Sequence, residues 1–257
     1  MRIAKSASIL VALLLAACHG EPVTSVTVEP PHVGPARGID LPTDASDVIN
    51  ELRDSRLDFV ARYYRDPTSR WPKLTASEAQ RLSSLGLTIV AVWEPHYPDP
   101  DYFTFYTGYN DALLADRQAR AVGQPAGSAI YFAIDFDARG AAPLAVDQYF
   151  RGVAAGLAAA GGGRAAYKVG VYGSGAICAA VTHAGLAQFS WLSNSTAWAG
   201  YRDYGGWNIR QSGRLANLFF NHDADEARDE YGGFRLRNVA VAAPYDRATP
   251  GAVVSGR

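Results

Sequence analysis

Cysteine is scarce in this chain, and so are runs of one charge and long apolar stretches. Only two of 257 residues are cysteine, Cys18 and Cys178, so a disulfide-stapled scaffold is excluded. Lys plus Arg number 24 and Asp plus Glu 25, a formal net charge of -1, and no block of basic residues stands out. A nucleic-acid partner would need such a block, so none is expected. No apolar run reaches the ~20 residues of a membrane-spanning helix. No Gly-rich phosphate loop follows a strand: Gly161-Gly162-Gly163 comes after a helical pattern instead. HExxH motifs and Cys pairs are missing, and Gly173-Ser174-Gly175 is not a full GxSxG elbow. The usual marks of a zinc enzyme or a serine hydrolase are therefore absent. What is present is 48% apolar, 11% aromatic and 19% charged residues, the make-up of an ordinary globular protein.

The amino terminus reads as an address. Arg2 and Lys5 precede a short apolar run, Ile9 to Ala17, followed by small residues. That is the plan of a secretory signal. Leu15-Ala16-Ala17-Cys18 resembles the lipobox of bacterial lipoproteins, which implies lipidation of Cys18 and a mature chain that begins there. The expected division is a signal peptide over 1–17, a lipid-anchored tether rich in Pro and Val over 18–35, a single folded domain over 36–232 and a tail over 233–257. The membrane would be met through the lipid alone, and a monomer in the bacterial cell envelope is expected. Cys178 lies in an Ala-rich apolar stretch and reads as a small buried hydrophobe.

From Arg37 a strand–helix pattern repeats. Strands are expected over Ala36 to Asp40, Phe59 to Tyr64, Leu87 to Glu94, Ala129 to Asp137 and Lys168 to Gly173. Three weaker ones follow near Phe189 to Leu192, Trp207 to Gln211 and Leu218 to Asp223. Helices are expected after Asp44, from the capping residue Thr75 with Glu78 three places on, from Tyr109 to Val122, over Val146 to Leu157 and onward to Ala184. Segments such as Ile89-Val90-Ala91-Val92 are apolar without alternation, so both faces are buried, as in a parallel sheet covered by helices. Eight such strands suggest a (β/α)8 TIM-like barrel, an α/β fold in one domain, with an open doubly wound sheet as the competitor.

Residues at the carboxyl ends of these strands would share one rim: Asp40, Tyr63, Glu94, Asp135 with Asp137, Tyr172, Trp191, Gln211 and Asp223. Acids protonate leaving groups and stabilise positive charge; aromatic faces cover the C–H surfaces of sugar rings. On a strand, Asp135 and Asp137 would point the same way with Cα atoms about 6.6 Å apart, at ~3.3 Å per residue. Carboxylates that close would repel and raise the pKa of one. Otherwise Asp135 and Asp137 simply cap a loop. His222-Asp223-Ala224-Asp225 invites a metal, but no pattern supports one, and no metal or cofactor is expected. His96 and His183 have no partner pattern. Trp93, Trp191 and Trp207 are candidates either for core packing or for sugar contact.

Gly38-Ile39-Asp40, Ala61-Arg62-Tyr63-Tyr64, Tyr131 to Asp137 and Gly170-Val171-Tyr172-Gly173 occur in an order that resembles the domain-of-unknown-function family 1906, the glycoside-hydrolase-like domain. That family is related to the family 25 glycoside hydrolases, barrel-shaped lysozymes that cut peptidoglycan. The resemblance runs from about Arg37 to Arg228 and implies a barrel with its site at the strand carboxyl ends. In the lysozyme relatives, Gly-Ile-Asp ends the first strand, which matches Asp40. Their fourth strand ends in Asp-x-Glu, whose Glu is the proposed acid; here Asp135 matches and Asp137 stands in place of the Glu. A last acid corresponds to Asp223 or Asp225. The resemblance implies that a substrate acetamido group can assist as nucleophile, so that no protein nucleophile is required. Asp is one methylene shorter than Glu, and a shift beyond ~1 Å can cost about 10²-fold in rate.

The resulting expectation is a glycoside hydrolase acting on peptidoglycan or a related cell-envelope glycan. Asp40, Asp135, Asp137 and Asp223 would be catalytic, with Asp137 donating the proton. Tyr63, Glu94, Tyr172, Trp191 and Gln211 would contact substrate. The alternative is a non-catalytic glycan-binding lipoprotein on the same barrel.

Overall fold

In a computed structural model, residues 34–95 and 99–237 are described. The signal segment, Cys18, most of the expected tether, His96 and positions 238–257 lie outside them. Eight strands close into one barrel in chain order: β1 (Ala36–Asp40), β2 (Phe59–Tyr64), β3 (Thr88–Trp93), β4 (Ala129–Ala133), β5 (Lys168–Gly173), β6 (Phe189–Leu192), β7 (Ile209–Ser212) and β8 (Asp223–Ala227). Five α-helices accompany them: α1 (Ile49–Asp54), α2 (Ala76–Ser84), α3 (Phe105–Val122), α4 (Ala142–Ala160) and α5 (Gly175–His183). All stand in the first five strand connections; among the described residues no helix follows β6 or β7.

β1 through β7 are parallel, and β8 closes the barrel antiparallel to both β7 and β1. The last strand is displaced from its expected position, Leu218 to Asp223: it begins at Asp223, where it was expected to end. Leu218 is buried in the preceding loop, and the Phe220 ring packs on His222. An antiparallel strand starts at the rim where its parallel neighbours finish. Asp223 therefore still reaches the carboxyl-end rim, opposite Asp40 in register. β7 is likewise shifted: Trp207 precedes it and lies between the Arg210 and Arg228 guanidinium groups, 4.9 and 4.1 Å from the ring centre.

Period-two alternation sorts the strand residues. One set packs outward against the helices: Ile39, Val60, Ile89, Ala91, Phe132 and Val171 belong to that layer. The other fills the barrel, where Phe59, Tyr131, Phe189, Trp191 and Tyr231 form a second cluster. Two glycines make room for its rings. A Cβ at Gly38 would lie 2.4 Å from the Phe59 ring, and one at Gly170 2.4 Å from the Tyr131 ring, both too close. Large rings opposite absent side chains give the interdigitated filling that close packing requires. Residues 233–237 are part of the barrel's closure: Phe234 exchanges backbone hydrogen bonds of 2.7 and 2.9 Å with Ile89 at the amino-end mouth.

Local caps agree with the sequence in part. Thr75 caps α2 by accepting from the Glu78 N–H, but the Glu78 carboxylate does not complete a capping box. It instead forms a buried ion pair with Arg62, at 2.5 Å, and accepts from the Ala45 N–H. Arg62 also donates to the Leu41 carbonyl, which ties down the chain just beyond Asp40. α3 starts four residues before the expected Tyr109, because Thr104 and Thr107 cap it reciprocally. No helix among the described residues is long and apolar enough to cross a membrane.

Candidate active site

At the carboxyl-end rim the inward position of nearly every strand is polar or aromatic. Asp40, Tyr63, Glu94, Asp135, Tyr172, Trp191, Gln211 and Asp223 all line one cavity of about 280 Å³, with Asn194 and Ser195. Eight residues scattered over the chain are thus brought together. Asp40 is the centre of their hydrogen-bond network. It accepts from the Tyr63 hydroxyl and from the Gln211 amide, both at 2.8 Å. The Gln211 carbonyl in turn accepts from the Tyr172 hydroxyl at 3.0 Å and from the Asn194 N–H at 3.3 Å. Burial pushes the Asp40 carboxyl up to about 7; its two donors oppose that shift, and the negative charges of Asp223 and Glu94 add to it.

Glu94 receives the Arg65 guanidinium at 2.5 Å, and that guanidinium lies 4.4 Å over the Tyr63 ring. Burial raises the Glu94 carboxyl above the usual range, although Arg65 pulls the other way. Asp135 is different. It opens onto the cavity, no ion pair or hydrogen bond holds it among the described residues, and partial burial raises its carboxyl. Deeper in the barrel, Asp225 accepts from the Trp191 indole at 2.9 Å and leaves its other oxygen without a partner. Burial, then the nearby Asp40, keeps that acid well above its ordinary value. Trp191 is almost wholly buried and packs edge-on against Tyr172, so it forms floor more than face.

Asp137 is not in this cavity, and the shared face expected for Asp135 and Asp137 does not exist. β4 ends at Ala133, so strand alternation stops before either acid. Asp137 turns outward, pairs with Arg139 at 2.5 Å and accepts from the Ala199 N–H at 2.9 Å. The backbone N–H, followed by Arg139, holds its carboxyl below the usual range. Such a group is ionised and a poor proton donor near neutral pH. Phe136, between them, packs on Phe103 in the outer layer.

A second cavity, of about 270 Å³, adjoins the first and is lined by Pro42, Tyr63, Arg65, Trp71, Glu94, Pro95 and Asp135. Arg65 and Trp71 were not singled out in the sequence. Arg65 directly follows the Tyr63-Tyr64 pair, which was a usable signal; Trp71 sits in an aperiodic loop and offered none. The remaining candidates have structural duties. The His222 ring lies 2.9 Å from the Phe220 carbonyl through Nδ1 and accepts from the Leu215 N–H through Nε2. Ser174 caps α5. Cys178 is buried, with its thiol pushed up to about 12 by that burial. No cluster of three or more His, Cys, Asp or Glu able to hold a metal occurs among the described residues.

Comparison with known proteins agrees with this architecture. A family model described as the Rv2525c-like, glycoside hydrolase-like domain matches residues 50–238. The uncharacterized protein YbfG of Bacillus subtilis (strain 168) is 32% identical over 123 residues, 46% of this chain and 17% of YbfG. The uncharacterized protein FadG of the same organism is 28% identical over 163 residues, 62% of this chain and 28% of FadG. The chain thus spans less than a third of either curated relative. The crystal structure of the Tat-secreted protein Rv2525c of Mycobacterium tuberculosis, in complex with HEPES, superposes with a TM-score of 0.61 at 21% identity, over 78% of this chain and 98% of that one. At that identity the likeness is one of fold.

Proposed function

The chain belongs to the Rv2525c-like, glycoside hydrolase-like domain family, and from that premise we propose that it hydrolyses glycosidic bonds of peptidoglycan or a related cell-envelope glycan. The observation that carries the proposal is Asp135: an unpaired carboxyl with a raised pKa, opening into a cavity whose other walls are acids and aromatics. A carboxyl raised in this way keeps its proton to higher pH than an ordinary aspartate, which suits a general acid. Asp135 thus takes the role that the sequence had assigned to Asp137. It protonates the departing glycosidic oxygen. Asp40 and Asp223, paired across β1 and β8, face the sugar that develops positive charge, and a carboxyl group there can stabilise such charge as it gives up its proton. Tyr63 and Gln211 hold the Asp40 carboxyl in one orientation, so no reorganisation is needed as charge develops. The protein works outside the cytoplasm, held at a membrane by lipid on Cys18.

The test is release of reducing ends from purified cell-wall glycan. Asp135→Asn should lower the rate by about 10²–10⁴-fold, the usual range for a lost general acid, without loss of folding. An unchanged rate would overturn the assignment. One observation favours a second reading, glycan binding without cleavage: Asp137, which matches the relatives' acid by position, has left the cavity and is neutralised by Arg139. That reading gains if the wild-type chain is retained on insoluble cell wall but releases no reducing ends at any pH.

A further inference from the structure

The two cavities share three walls, Tyr63, Glu94 and Asp135. Each measures about 270–280 Å³. That lies just below the ~300 Å³ at which pockets begin to enclose drug-sized ligands, so each has room for one sugar ring with its substituents. The second cavity has its own aromatic wall. Trp71 is 45% exposed in the loop after β2, one of few large apolar side chains left open to solvent among the described residues. Pro42 and Pro95 add apolar surface beside it. An open indole next to prolines, bounded on the far side by a guanidinium and two carboxyls, matches the two-sided surface of a pyranose, with C–H groups on one face and hydroxyls at the edge.

Resting on the glycan reading above, we propose that the cavity of Trp71 is a second sugar subsite, so that the substrate is a chain of at least two linked sugar units. Trp71 is the residue that selects for the second unit. The walls common to both cavities then lie beneath the linkage between the units. Asp135 stands at that linkage, where a proton donor to the bridging oxygen must be. A single sugar fills the central cavity and never meets Trp71.

The experiment is calorimetric titration of the full chain with β-1,4-linked N-acetylglucosamine oligomers of one to four units. Affinity should rise about tenfold from one unit to two, the scale of one good aromatic contact. Trp71→Ala should abolish that increment and leave the single-unit affinity within about threefold; Trp71→Phe should restore most of it. Thermal unfolding should be little changed, since Trp71 is half open to solvent. The proposal is overturned if the wild-type chain shows no gain from the second unit, if Trp71→Ala keeps the full gain, or if it weakens one unit and two alike. If no oligomer binds and cell-wall glycan is not retained either, the glycan reading falls with it; retention on cell wall without an oligomer gain sinks the two-unit division alone.

Discussion

The two mouths of the barrel are built from the same eight strands with opposite chemistry. At the amino-end mouth Phe59, Phe189 and Tyr231 close over the interior, the Tyr131 hydroxyl donates to the Tyr231 carbonyl at 2.9 Å, and Phe234 seals the edge against Ile89. At the carboxyl-end mouth the inward positions carry Asp40, Glu94, Asp135 and Asp223 around an open cavity. One end gains stability from apolar burial; the other gathers like charges, each partly desolvated. Sites that concentrate perturbed carboxyls this way are built at a cost to stability, which the opposite mouth offsets.

The contrast can be broken by moving stability and chemistry independently. The largest stability effect is expected for Phe59→Ala, which removes a fully buried ring opposite Gly38. It should cost about 3–5 kcal/mol in chemical denaturation while the activity per folded molecule stays within a few-fold. A loss of activity matched by little loss of stability would contradict the division. Next comes Asp40→Asn. Folded Asp40 gains its proton at about 7, against 3.8 for the unstrained group. Its contribution is therefore complete below about pH 3.8 and is lost as pH rises towards about 7. At about 1.4 kcal/mol per pKa unit this amounts to a few kcal/mol at most. The asparagine variant should show a shallower fall of the denaturation midpoint between pH 4 and 7. Glu94, Asp135 and Asp225 shift in the same direction, so some slope will remain. An unaltered slope would show that Asp40 does not titrate in this range. The smallest effect belongs to Asp137→Asn. Asn retains an acceptor for the Ala199 N–H and loses only a partly exposed ion pair, so stability should change by less than about 1 kcal/mol and reducing-end release by less than about threefold. A collapse of activity would return the acid role to Asp137.

Much of the barrel could be read along the chain. β1, β2, β5 and β6 lie at the residues expected from their apolar runs, and an eight-strand barrel follows from that repetition. Three features could not be read, for different reasons. Ile134-Asp135-Phe136-Asp137 keeps alternating in sequence beyond the end of β4, whereas Asp137 is held away from the cavity by Arg139 and the Ala199 N–H. The direction of β8 is not encoded in periodicity, because an antiparallel strand alternates as a parallel one does. Trp71 joins the site through a loop without periodic pattern, beside Arg65, whose pairing with Glu94 just past the end of β3 is a tertiary contact.

Which residue types stand at the strand ends, and hence that acids and rings face a common rim, was already determined by the linear order of polar and apolar residues. Which of those acids share a cavity, which hold their protons more tightly and which are spent in ion pairs was decided only by the folded chain. The reason is physical: alternation is a local property of the backbone, whereas desolvation and charge pairing depend on groups brought close from distant parts of the sequence.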